Sequence, residues 1–275
     1  EENYEGIKVL FTATSPTADT DSTYTDAYGY YSIDISEGIY SISFLHEGWV
    51  PYTMPDELLL IHDTTFSEVT LIFGIAVSGE QSGIWYSGNL YQVVGAITII
   101  DGETLIIEQG VTAKFWAQIP FNVYGTLIAV GTETDSICFT RYSALWRGLG
   151  FCHSSSSNSI LSFVKVEFSD TAAINCISSS PTIENCMASN SNIGICSNSY
   201  SSPTLRNCIM EDNSTGFISN LHASPTLSNC VISNNNHSGI SCHSTSTPVI
   251  RNCIIYNNTF CVYSIPPTST LEYNL

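Results

Sequence analysis

The chain has 275 residues, 43% of them hydrophobic, enough for a sizeable core in one or two domains and against disorder. Seven Lys and Arg against 25 Asp and Glu give a net charge of −18, a sign that repels phosphate backbones and anionic lipid and excludes nucleic acid as a partner. No run approaches the roughly 18 consecutive apolar residues that span a bilayer, which speaks against membrane insertion.

Only 12% of the residues are charged, so Ser, Thr, Asn, Tyr and Gly are expected to keep the chain in solution. The first methionine is Met54 and no basic start precedes an apolar segment, so the sequence reads as either a processed mature chain or a cut-out, and the processed chain is the expectation.

Residues 1–80 read as one domain. Fourteen of the 25 acidic residues lie there, whereas only Glu184, Glu211 and Asp212 lie between Thr171 and Phe260. The alternating runs Ile7–Phe11, Tyr30–Ile35, Tyr40–Phe44 and Glu68–Phe73 read as short strands separated by Asp-, Gly- and Pro-bearing turns, a small β-sandwich.

Residues 81–265 read as a solenoid. Strand–turn–strand units can be traced through Gly95–Gly102, Thr104–Gly110, Gly125–Gly131, Trp146–Phe151 and Phe163–Phe168. A clear repeat follows: Ser180-Pro181-Thr182-Ile183-Glu184-Asn185-Cys186 recurs as Ser202–Cys208, Ser224–Cys230 and Thr247–Cys253, placing the cysteines 22, 22 and 23 residues apart. This period is too short for paired helices, and Ser-Pro, Asn-Asn and Gly form helices poorly. A parallel β-helix of about seven coils fits, all-β, with coils about 4.8 Å apart so that equivalent positions stack.

Stacking places Ile183, Leu205, Leu227 and Ile250 in an inward apolar column and lets the amides of Asn185, Asn207, Asn229 and Asn252 bond along the stack. The column Cys186, Cys208, Cys230 and Cys253 admits three readings, namely packed thiols, inter-coil disulfides or a metal site. Packing is the simplest, since no CxxC or CxxxxH spacing occurs.

Residues 266–275 read as a tail released by Pro266-Pro267, in which Leu271, Tyr273 and Leu275 alternate with polar residues as in a half-buried strand. Two placements follow. The tail folds as a cap on its own chain, or it adds as a strand to the next subunit's sandwich, which would build a head-to-tail homo-oligomer and an open filament.

Two resemblances can be added. Thr25-Asp26-Ala27-Tyr28-Gly29-Tyr30-Tyr31, Glu37-Gly38-Ile39-Tyr40 and His46-Glu47-Gly48-Trp49-Val50-Pro51 resemble the motif series of carboxypeptidase-regulatory-like domains. From about residue 84 onward the chain resembles right-handed parallel β-helix proteins of pectate-lyase-like type, in particular bacterial surface or secreted ones. Together they imply an extracellular or cell-surface setting, without implying catalysis.

Enzymes of β-helix form that cleave acidic polysaccharides need clustered carboxylates and a basic residue at the substrate. Here Arg206 and Arg251 read as an exposed stripe, Glu211-Asp212 as a solvated turn, and His153, His222, His237 and His243 as surface residues. No catalytic, metal or cofactor residue is assigned. Trp85, Tyr86, Tyr91, Trp116, Tyr124, Tyr142 and Trp146 are read as covering the junction and cap, with stacking on sugar rings as the other option. Asn213, Asn236 and Asn257 head Asn-x-Ser/Thr acceptor sequences. The expectation is a noncatalytic structural or adhesive protein that self-associates; the alternative is a carbohydrate-binding or polysaccharide-cleaving module with glycans as partners.

Overall fold

The structure, a computed structural model, describes residues 4–15, 18–55, 57–60, 64–66, 68–243 and 245–272. The chain divides into two compact units, Glu1–Ala76 and Val77–Leu275. The division falls slightly before the composition boundary because strand Ile75–Glu80 pairs with strand Leu90–Ile99 of the solenoid.

In the first unit, strands Lys8–Ser15 and Gly38–Leu45 run antiparallel, with Val9 opposite Phe44, Phe11 opposite Ile42 and Ala13 opposite Tyr40. These six side chains are the buried core, as their period-2 alternation dictates. Strand Thr20–Tyr24 closes one side of the sheet; Tyr52–Thr53 and Leu58–Leu60 pair on the other.

The segments expected as strands at Tyr30–Ile35 and Glu68–Phe73 form no such ladder, apart from Ile72–Phe73, which pairs with Trp49–Val50. Their alternation still shows in packing: Tyr31, Ile33, Ile35, Val69 and Leu71 lie against the core. The apolar period records which side faces the core, and it does not by itself supply a hydrogen-bonding neighbour.

The second unit is a parallel β-helix with three strands per coil. One face consists of nine stacked strands, from Gly83–Trp85 to Thr270–Glu272. The other two faces are joined in one 16-stranded sheet through the long strand Leu90–Ile99. Nine turns exceed the roughly seven expected, because the weakly patterned Gly83–Trp85 and the tail strand Thr270–Glu272 each belong to the stack.

Register makes the interior explicit. On the nine-stranded face Trp85, Ile107, Ala129, Leu161, Ile183, Leu205, Leu227, Ile250 and Leu271 form one inward column. All but Leu271 are buried. Phe115, Phe121, Phe139 and Trp146 fill the wide early coils, with Phe115 and Trp146 stacked at 3.8 Å.

The corners explain the asparagines. Asn185, Asn207, Asn229 and Asn252 have φ between 52° and 54°, and Asn190, Asp212, Asn234 and Asn257 between 52° and 56°. Each coil thus turns twice through a left-handed residue, a conformation that Asn and Asp tolerate best among side-chain-bearing residues. At Gly194, Gly216 and Gly239 the constraint is close approach: a Cβ on Gly216 would lie 2.6 Å from Ile232 Cγ2 and 2.8 Å from the Gly239 carbonyl.

Candidate functional site

The repeat residues come together as two ladders. Asn207 Nδ2 donates to Asn185 Oδ1 at 3.1 Å and Asn229 Nδ2 to Asn207 Oδ1 at 3.3 Å. Asn252 stands next in the stack, its backbone N–H donating to the Glu272 carbonyl at 2.9 Å. Beside them Cys186, Cys208, Cys230 and Cys253 are buried free thiols. Their Sγ atoms donate to the carbonyls of Glu184, Arg206, Ser228 and Arg251 at 3.1 to 3.4 Å.

Burial pushes the Cys186 thiol up to about 12. Hydrogen bonding within the ladder, led by the contact with Cys208 and joined by burial, pushes Cys230 to about 12. A thiol raised in this way is a poor nucleophile at neutral pH, and the buried Cys186 and Cys230 side chains pack against their neighbours.

A second asparagine ladder points inward at another corner, where the sequence reading did not place one. Asn213 and Asn235 are fully buried. Asn213 Oδ1 accepts from the Ser191 N–H at 3.0 Å and its Nδ2 donates to the Ala188 carbonyl at 3.0 Å. Asn235 repeats the arrangement one coil on, and Asn258 the next. Asn213 is therefore no glycan acceptor, because its amide is enclosed and engaged. Asn236 and Asn257 remain exposed.

A group of ionisable side chains lies on adjacent strands Ile137–Arg141 and Val164–Glu167. Lys165 Nζ sits 2.5 Å from Glu167 Oε2, while Glu167 Oε1 accepts from Thr140 Oγ1 at 2.9 Å. Glu167, nearly buried, holds Lys165 above its usual range. Burial, reinforced by the Glu167 charge, pushes the adjacent Cys138 to about 11. Lys165-Val166-Glu167 carries the i, i+2 spacing that puts both charges on one side of a strand, a signal present in the sequence.

In strand register Glu167 is followed by Ser189 and then Glu211, so the two carboxylates are two coils apart, roughly 10 Å by coil spacing. Arg206 is paired with Glu184 at 3.3 Å and Arg251 with Glu272 at 3.0 Å. These are exposed pairs that hold coil register and contribute little stability.

The seven aromatics separate. Trp85, Tyr91 and Trp146 are buried, while Tyr86, Tyr124 and Tyr142 are exposed. Trp116 stacks on Tyr142 at 5.2 Å and donates Nε1–H to Gln92 Oε1 at 3.0 Å. Among the histidines, His153 caps the short 3₁₀ turn Ser154–Asn158, His222 stacks on Tyr200 at 5.0 Å, and His237 packs against Phe260 and Tyr263.

The last coil differs from those before it. Leu271 is 50% exposed and Val262, which ends the inward column Phe217, Ile240, Val262, is 39% exposed. Tyr256, Phe260 and Tyr263 are about half exposed around them. Thr270–Glu272 pairs in parallel with Val249–Arg251 of its own chain, and the Thr270 N–H donates to the Pro248 carbonyl at 3.0 Å. Leu271 therefore sits on its own solenoid; Tyr273 and Leu275 lie outside the described residues.

Residues 145–274 match the family model of a right-handed β-helix region. The solenoid is right-handed accordingly. Among solved structures, the Azotobacter vinelandii mannuronan C-5 epimerase AlgE4 A-module is similar, at 15% identity and a TM-score of 0.48 over 66% of this chain. The match spans 65% of that module. No curated protein matches.

Proposed function

We propose that this chain is a noncatalytic structural or adhesive element of the extracellular space or cell surface, which self-associates through the last coil of its β-helix. The observation that carries the reading is the state of that coil: two inward columns, buried along the solenoid, surface at Leu271 and Val262, ringed by half-exposed aromatics. Exposed apolar side chains beside sheet edges are a template for association.

The disposition of the reactive groups supports a structural role. Glu167 is bound by Lys165 and Thr140, and the Cys186 and Cys230 thiols are held protonated. The extracellular setting and a carboxypeptidase-regulatory-like first unit rest on the motif resemblance at Thr25–Tyr31 and His46–Pro51.

The test is light scattering and electron microscopy on the intact chain beside a Val262→Asp, Leu271→Asp variant, both positions being exposed enough to accept charge without disturbing the core. Self-association of the parent that is lost in the variant is the expected outcome. A parent that stays monomeric at all concentrations would refute it.

A further inference from the structure

We propose that the edge strand Thr20–Tyr24 of the first unit is a docking strand for an extended, lysine- or arginine-bearing segment of another protein. This inference is independent of the self-association reading. Thr20–Tyr24 is the terminal strand of its sheet, paired with Lys8–Thr12 on one side.

The direction of its free backbone groups follows from parity. The Ala13 N–H donates to the Asp19 carbonyl at 2.8 Å and the Thr25 N–H to the Ile7 carbonyl at 3.0 Å. With Phe11 opposite Asp21 and Val9 opposite Thr23, the odd-numbered residues use their backbone groups on the inner ladder. The amides and carbonyls of Ser22 and Tyr24 therefore face outward, a row onto which an extended segment can add. The Thr20 N–H is already held by Asp19 Oδ1 at 2.8 Å.

The side chains around this row specify the partner. Asp26 follows the strand, and its Oδ1 accepts the N–H groups of Tyr28 and Tyr30 at 2.9 and 3.0 Å, fixing a tight turn. Strand and turn together present Tyr24, Tyr28 and Tyr30, which are 60%, 82% and 75% exposed. Exposed tyrosines supply contact area at low entropic cost.

Asp19, Asp21 and Asp26 lie on the same strand and its flanks, and the whole unit carries thirteen acidic residues against Lys8 alone. A cationic strand is the complement. A second copy of this edge is disfavoured, since pairing would bring like charges together across the strands.

The experiment titrates the full chain into a fluorescein-labelled ten-residue peptide of alternating Lys and Thr, followed by anisotropy. A second peptide of the same sequence is N-methylated at every residue, so that its charge is kept while both of its edges lose their backbone donors. Binding of the first peptide that weakens with salt, with the methylated one about tenfold weaker, is expected from the loss of one or two net backbone hydrogen bonds.

Ser22→Pro should weaken the first peptide equally, because an outward N–H is removed where an edge strand accepts proline. Equal affinity for both peptides would mean charge attraction without a docking strand and would overturn the proposal. So would equal binding of a Glu–Thr peptide, or self-association that Ser22→Pro abolishes.

Discussion

Replacing Asn235 by Ala removes the centre of the buried asparagine ladder. The Asn235 amide donates to the carbonyls of Met210 and Ser233 at 3.1 and 3.0 Å and to Asn258 Oδ1 at 2.8 Å. Its Oδ1 accepts the Asn213 N–H at 3.0 Å. Two well-made bonds at about 1 kcal/mol each, and an Asn213 N–H left without a partner inside the solenoid at about 1 to 3 kcal/mol, give a loss of about 3 to 5 kcal/mol. The matched control is Asn236→Ala, one residue on and exposed, where about 0.5 kcal/mol or less is expected.

Urea unfolding of the full chain gives the global value. Hydrogen exchange gives the local one, because a solenoid's stability is carried between neighbouring coils and the loss should open the coils around residues 204–258 first. A loss below about 1 kcal/mol, or one equal to that of Asn236→Ala, would refute the reasoning that these amides satisfy a buried corner.

Gly216→Ala should cost about 1 to 3 kcal/mol by thermal unfolding, since the new Cβ would meet Ile232 and the Gly239 carbonyl at 2.6 and 2.8 Å. Gly102→Ala, where φ is +83° but space is open, should cost about 1 kcal/mol from backbone strain alone. In thiol titration with a disulfide reagent, Cys261, exposed on the last coil, should react fast, and the buried ladder thiols only on unfolding.

Alkaline stability follows from the same thiols. Burial raises Cys186 and Cys242 in the folded chain to about 12 from an ordinary 9.0, so the unfolded chain releases those protons first. Stability is fully present below about pH 9 and falls as pH rises toward 12, a trend that urea midpoints measured across that range should reproduce. A flat profile would contradict the burial of these groups.

The second half of the chain was legible because a coil repeats its own positions. Asn207 above Asn185 and Leu205 above Ile183 are neighbours in space for the same reason that they are 22 residues apart in sequence. The buried ladder was not legible. In Asn234-Asn235-Asn236 three identical residues take a left-handed corner, an inward amide and an exposed turn, and composition gives no means to tell them apart.

The second layer of the first unit was half legible: alternation at Tyr31, Ile33 and Ile35 gave the facing of the segment correctly, while the absence of a ladder partner is a long-range fact. Similarly, Lys165 and Glu167 announce a shared side of a strand, but that Thr140 holds the other carboxylate oxygen depends on a coil 27 residues earlier.

The thiol ladder bears on how such an array changes length. Each of Cys186, Cys208, Cys230 and Cys253 relates to its own coil and the ones above and below, and to no single bonded mate. A coil can therefore be duplicated or deleted in the gene without stranding half of a cross-link. A disulfide-stapled scaffold lacks that freedom, since every insertion there must arrive with its partner already matched.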